Sequence, residues 1–244
     1  MDAAEYSNLA RVEERHWYYA GKRELVRRWL HRVGPLRAAD VLLDCGAGTG
    51  RFAQDMQQDC KVFVLDDHEE SLALLRQKFP SERVIALTEA GVPLPDASID
   101  YLTALDVLEH IEHDAEAVRG FHRLLKPGGV ALVTVPASMA LWSDWDVSLH
   151  HFRRYSRPGL KAIFPRDQWE ILYVNYTNIV AFPAAWLLRK LRKQKPAGDT
   201  ANRMEDKIPP AWLNGCLRWI FVTMAFWRVP FPFGLSLVLV ARRK

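Results

Sequence analysis

The stretch Val41-Leu42-Leu43-Asp44-Cys45-Gly46-Ala47-Gly48-Thr49-Gly50-Arg51 decides the fold. Its three leading apolar residues read as a short buried strand. Asp44 and glycines at 46, 48 and 50 follow at once, and Arg51 to Gln58 reads as a helix. A glycine-rich turn lets the chain reverse tightly and lets a ligand approach the backbone. The free N–H groups of the helix start suit a polar or anionic ligand group. The next strand, Lys61 to Leu65, runs into Asp66-Asp67. A carboxylate there can accept both hydroxyls of a ribose. The spacing separates this turn from two common nucleotide loops. The dinucleotide fingerprint is G-x-G-x-x-G, whereas glycine recurs here at every second position. No Gly-Lys-Ser/Thr is present, which excludes a phosphate-cradling P-loop. The turn suits a nucleoside more than a pyrophosphate.

Outward from this stretch, strand and helix alternate with short connections. Helical spacing of Leu9, Val12, Leu25, Val26, Trp29 and Leu30 predicts helix over 5–33, with Gly21 as a break, and Gly34-Pro35 ends it. Further strands are expected at 84–87, 99–104 and 130–135, and helices at 71–79 and 108–125, the latter closed by Lys126-Pro127-Gly128-Gly129. This rhythm predicts a parallel sheet with helices on both faces. After Pro136 it breaks. Strands at 169–176 and 236–241 are separated by an apolar, aromatic and basic segment. That is far longer than a hairpin loop of roughly 2–5 residues, and it reads as a helical insertion. The expectation is an α/β, Rossmann-like, doubly wound seven-stranded sheet. It carries N-terminal helices and a helical insertion between the last two strands. All 244 residues then form one domain: a helical lid over 1–35, a cofactor-binding core over 36–176, the insertion over 177–233 and a final strand over 234–244.

Composition agrees with a packed core. The chain is 49% hydrophobic and 25% charged, which excludes a disordered chain. Cys45, Cys60 and Cys216 are too few for a disulfide framework and suit a reducing compartment. No apolar leader stands in the first twenty residues, so a cytoplasmic location is expected, with membrane association as an added feature. The net charge is +4, and the basic excess gathers at Arg189, Lys190, Arg192, Lys193 and Lys195.

The glycine turn, Asp66 and the run from Pro93 through Leu108-Glu109-His110-Ile111 to Leu125-Lys126-Pro127-Gly128-Gly129 together resemble the class I S-adenosylmethionine-dependent methyltransferases. The likeness runs from about residue 12 to 136. It implies S-adenosylmethionine as cofactor and S-adenosylhomocysteine as product. On this likeness Gly46, Ala47, Gly48 and Gly50 line the methionine and ribose, and Asp44 orients the amino group. Asp66, with Asp67 beside it, holds the ribose hydroxyls. Thr88 and Glu89 fall where the family contacts adenine, usually with an Asp. Leu105, Asp106 and His110 stand at the amino-acid end of the cofactor. The cluster Glu14-x-His16-Trp17-Tyr18-Tyr19-x-Gly21-Lys22-Arg23 resembles a segment that closes over the cofactor in some relatives. Arg23 or Lys22 then meets the cofactor carboxylate.

The acceptor side is expected after strands four and five. Trp142-Ser143-Asp144-Trp145-Asp146 and His150-His151-Phe152-Arg153-Arg154-Tyr155 stand there. They resemble a "W…D…GH.RRY" pattern of one branch of these enzymes, with His150 in place of its Gly. His151 is the candidate general base for a hydroxyl. Arg153 or Arg154 is a candidate clamp on an anionic group, or an ion-pair partner of Asp144 or Asp146. Tyr155 is a candidate donor to the acceptor. Glu109-His110-Ile111-Glu112-His113 is not the H-E-x-x-H zinc motif, and no metal is expected from it.

The insertion pairs Trp and Phe with Lys and Arg. This suits a helix lying in a membrane interface, a lid over an apolar substrate, or a cap or dimer contact. Neither apolar stretch is long enough to span a membrane. The expected function is methyl transfer from S-adenosylmethionine to a small, hydrophobic molecule, at oxygen before nitrogen or carbon. Methylation of RNA or protein, and a non-catalytic cofactor-binding subunit, stand as alternatives. No nucleic-acid module is recognisable.

Overall fold

The computed structural model describes residues 10–89, 91–191, 208–227 and 229–244, with backbone alone for 188–191. The side chains of the basic run from Arg189 to Lys195 lie outside the described residues.

Seven strands form one sheet: β1 (Val41–Cys45), β2 (Lys61–Asp66), β3 (Val84–Ala86), β4 (Ile99–Leu105), β5 (Leu125–Pro136), β6 (Trp169–Thr177) and β7 (Ser236–Arg243). Their order is β3-β2-β1-β4-β5-β7-β6. Strands β1 to β5 pair in parallel, but β7 runs antiparallel between β5 and β6. The seven-stranded, doubly wound sheet is as expected, parallel through β5 and mixed beyond it. The order reverses between β1 and β4, and at such a switch point the carboxyl ends of neighbouring strands leave a crevice for ligands.

Both faces of the sheet are covered, so its central strands are almost wholly apolar. On one face Leu43, Leu102, Ala104, Ala131, Val133, Leu237 and Leu239 pack with Val118, Phe121 and Leu124 of helix α4 (Asp114–Leu124). On the other, Leu42, Val62, Val64, Val130, Leu132, Val238 and Val240 meet Leu25, Val26, Trp29 and Leu30. These four are the buried stripe of α1 (Trp17–Val33). Residues 51–56 form α2 and Glu69–Lys78 form α3. Three further helices, α5 (Asp144–Ser148), α6 (Arg157–Ala162) and α7 (Phe182–Leu191), precede α8 (Ala211–Phe226).

Three local expectations are corrected. Helix α1 starts at Trp17, where the His16 ring accepts from the Tyr18 N–H, so the break lies before His16 and not at Gly21. Gly21 is buried within α1, and a Cβ there would stand 2.8 Å from Cδ1 of Phe221. Its role is to let α8 approach. The helix expected over 108–125 is divided: Leu108–His110 is a single 3-10 turn and α4 begins at Asp114. Lys126-Pro127-Gly128-Gly129 lies inside β5, where Gly128 takes φ +80° at the bulged start of the pairing with β4.

The insertion between β6 and β7 is helical. Helix α8 buries Phe221, Val222 and Ala225 against α1. Polar ties fix the contact: Trp17 N–H donates to Asn214 Oδ1 at 2.8 Å, and Arg218 pairs with Glu24 at 2.7 Å. The opposite side of α8 leaves Trp212 76% and Trp219 68% exposed. Among the described residues no helix is long and apolar enough to cross a membrane.

Candidate functional site

The glycine turn leaves β1 at the switch point. Gly46, Gly48 and Gly50 all take positive φ, at 64°, 56° and 77°. A Cβ on Gly46 would stand 2.6 Å from Val107, so side chains are excluded twice over, by conformation and by space. Gly46 is exposed, and Ala47 and Gly48 are half-buried, which makes an open ledge of backbone. Asp66, the last residue of β2, closes one side. Its Oδ2 accepts from Gly48 N–H at 2.9 Å, and its Oδ1 from the N–H groups of Asp67 and His68 at 2.9 and 3.1 Å. Asp67 itself is exposed. Thr88 and Glu89 are exposed beyond β3, where Thr88 bridges Gly91. Asp44 is buried beneath the ledge and accepts from Thr103 Oγ1 at 2.7 Å. Burial pushes its pKa up to about 7, against the Thr103 bond and with help from Asp66.

Asp106 follows Leu105, the end of β4, with φ 56°, a left-handed position for a non-glycine residue. Such conformations gather at functional sites. Its amide donates to Thr134 O at 2.9 Å and its Oδ1 accepts from Thr134 Oγ1 at 2.9 Å, which fixes the carboxylate at the end of β4. Lys22 of α1 forms an ion pair with Oδ2. Burial opposes both charges, but the pair overrides it: Lys22 is held above its ordinary value and Asp106 below. Tyr18 supports the ammonium, with the Lys22 Nζ 4.6 Å from its ring centre.

Of the two candidates Lys22 and Arg23, it is Lys22 that faces Asp106. Arg23 turns to Asp55, 2.8 Å away, and donates to the Glu13 carbonyl, so it ties α1 to α2. Glu13 also accepts from Thr49 Oγ1 at 2.6 Å, which pins the segment before α1 to the glycine turn.

The acceptor-side residues centre on Asp146. It is wholly buried in α5, and its Oδ1 lies 2.9 Å from His151 Nδ1 and 2.7 Å from Arg154 Nε. Its Oδ2 accepts from the Ser143 amide at 3.0 Å. Burial opposes its charge, yet these bonds hold its carboxyl below the usual range. His151 packs edge-on against His110, with ring centres 4.6 Å apart. Burial and the neighbouring His151 push His110 down to about 4, so it is neutral at pH 7. His150 stands at φ 56°, which accounts for glycine at that place in the related pattern.

Two other candidates are turned inward. Arg154 is buried between Asp146 and the Ala137 carbonyl. The Tyr155 hydroxyl is buried 2.7 Å from Asp114 and 3.1 Å from the Leu108 carbonyl. Both side chains hold the loop to the core. Arg153 pairs with Asp114 at 2.9 Å, not with Asp144 or Asp146.

The residues present fit a nucleoside joined to an amino acid. A backbone ledge and Asp66 suit the sugar, Asp44 and Asp106 suit an ammonium group, and Lys22 suits a carboxylate. Residues 43–133 match the methyltransferase domain family. The chain is 33% identical over 144 residues to a probable S-adenosylmethionine-dependent methyltransferase of Mycolicibacterium smegmatis, covering 58% of this chain and 53% of that one. It is 29% identical over 196 residues to a ubiquinone biosynthesis O-methyltransferase of Pseudomonas paraeruginosa, covering 68% of this chain and 82% of that one. It thus spans about half the length of the Mycolicibacterium relative. The crystal structure of an S-adenosylmethionine-dependent methyltransferase from Thermotoga maritima superposes with a TM-score of 0.61 at 17% identity, covering 99% of this chain and 96% of that one. At that identity the likeness is one of fold.

Proposed function

We propose that this chain, which belongs to the class I S-adenosylmethionine-dependent methyltransferases, moves a methyl group to a hydroxyl oxygen of a small, largely apolar acceptor. The cofactor supplies an electrophilic methyl on a sulfonium, so the protein's work is to align the acceptor and manage its proton. Gly46, Ala47, Gly48, Gly50 and Asp66 hold the nucleoside, with Asp67, Thr88 and Glu89 toward the base. Asp44, Asp106 and Lys22 hold the amino-acid end.

The observation that carries the proposal is the Asp146–His151 pair beside Asp106 and His110 at the carboxyl ends of β4 and β5. Asp146 holds His151 by Nδ1, which fixes the ring and leaves Nε2 to take the acceptor's proton. A relative named for O-methylation supports oxygen as the accepting atom. The exposed tryptophans of α8 support an apolar acceptor reached at a membrane surface, since Trp sits well at that boundary. The inner face of the same helix backs Trp17 and Tyr18, and Tyr18 supports Lys22.

Radiolabelled S-adenosylmethionine incubated with host-cell extract, partitioned between organic solvent and water, tests this. Label in the organic phase, absent with Asp66→Ala, is expected. Label confined to aqueous macromolecules would assign RNA or protein as acceptor instead.

A further inference from the structure

We infer that Glu109, His110 and His151 form a binding site for one divalent transition-metal cation. Ligand atoms of the three side chains lie within 4.8 Å of one another. The 3-10 turn at Leu108–His110 supplies the first two. The loop after α5 supplies the third, and the Phe152 N–H donates to the Glu109 carbonyl at 2.8 Å, which clips the loop to the turn.

Two independent observations point to a cation. Glu109 is 1% exposed, and its Oε2 has no hydrogen-bond partner among the described residues. A buried acceptor in that condition costs free energy that a cation would recover. The charges around it are already matched: Lys22 with Asp106, and Arg154 with Asp146. Burial pushes the Glu109 carboxyl up, against the pull of Lys22 and Arg154, and a bound cation would favour its ionised form. Secondly, Asp146 accepts from His151 Nδ1 and so leaves Nε2 as the outward lone pair. This carboxylate–histidine arrangement is the one that orients ring ligands in metal centres. His110 offers a second ring nitrogen.

Two imidazoles and one carboxylate suit zinc, manganese, iron(II) or cobalt(II). Magnesium and calcium prefer oxygen alone. Donor atoms must close to about 3.4 Å apart for bonds near 2.1 Å, a movement within reach of side-chain rotation. The sequence hides this site because its third member stands far along the chain and the nearby His110–His113 pair has the wrong spacing.

What the cation would do rests on the methyl-transfer proposal; its binding does not. Beside Asp106, it would stand where the acceptor oxygen must come, and would orient that oxygen. With the cation in place His151 is a ligand and not a proton acceptor.

The test uses the full chain, stripped with a chelator and dialysed separately against zinc, manganese and cobalt(II). Metal content and the visible absorption of the cobalt form are read. One equivalent per chain is expected for at least one metal. Glu109→Gln and His110→Ala should each weaken binding about tenfold or more. His113→Ala, an exposed neighbour, should not. S-adenosylmethionine affinity by calorimetry reports the fold and the cofactor site in each variant. Stoichiometric binding lost in Glu109→Gln, with cofactor affinity kept, supports the site. No stoichiometric binding of any of the three metals, or equal binding by Glu109→Gln and wild type, overturns it. Metal binding without cofactor binding in the wild type would remove the methyl-transfer proposal and leave the site standing.

Discussion

His151 Nδ1 and Arg154 Nε meet the same oxygen of buried Asp146, at 2.9 and 2.7 Å. One carboxylate thus anchors a cation that never leaves the core and a ring that borders the crevice. Arg154 neutralises the Asp146 charge. The ring is held at Nδ1, and no hydrogen bond to its other nitrogen stands among the described residues.

His151→Ala should therefore lower turnover about a hundredfold or more, the usual scale for a positioned proton acceptor. S-adenosylmethionine affinity should change little, because the bonds of His151 go to Asp146 and not to the residues that hold the cofactor. Steady-state kinetics with calorimetry reads both. A parallel loss of cofactor affinity would show that His151 shapes the cofactor site instead.

Lys22 and Arg23 are neighbours in sequence with different work. Lys22→Gln should weaken S-adenosylmethionine binding about tenfold or more, a difference of about 1.4 kcal/mol. Arg23→Gln should leave affinity within about twofold, and lower Tm by loosening α1 from α2. If Arg23→Gln proves the weaker binder of the two, the amino-acid end of the cofactor lies elsewhere.

The strands and the glycine turn were legible because one signal fixes each: continuous apolar runs for a sheet covered on both faces, and glycine where φ is positive. Asp66 was legible from its place at a strand end. The division between Lys22 and Arg23 was not, since adjacent helical residues point about 100° apart and only the packing of α1 sets which one reaches β4. Arg154 and Tyr155 looked equally chemical in sequence. Their burial depends on Asp146 and Asp114, partners brought from other elements. Gly21 read as a breaker because spacing shows no neighbour; the neighbour is Phe221, supplied by a distant helix.

That contact gives a third expectation. Gly21→Val should lower Tm, because the new side chain enters space held by the Phe221 ring, which is itself wedged against Trp17 and Tyr18. Overpacking of this kind costs about 1–3 kcal/mol. Phe221→Leu should recover part of the loss in the double variant. Strict additivity of the two changes would mean that they do not touch.

The outer face of α8 tests separately from its inner one. Trp212→Ser with Trp219→Ser should reduce flotation with phosphatidylglycerol-containing vesicles and leave Tm near the wild-type value, because both side chains are exposed. Unchanged flotation, or none in the wild type, would assign the stripe to a contact other than lipid.

Asp44 couples the cofactor site to pH. Its carboxyl titrates near 3.8 when unfolded and at about 7 in the fold, chiefly through burial. Between those values the folded protein holds the extra proton, so this residue's contribution to stability falls as pH rises from about 4 through about 7. His110 acts in the opposite sense: depressed from 6.5 to about 4, it removes stability as pH falls through that window. Asp44→Asn keeps an acceptor for Thr103 but has no charge to bury. The variant should gain Tm over wild type at pH 8 and lose most of that gain at pH 5, and it should bind S-adenosylmethionine more weakly. Comparing the two proteins at each pH cancels the His110 contribution. A Tm difference that stays constant from pH 5 to 8 would show that Asp44 is ionised throughout, held by a partner stronger than Thr103.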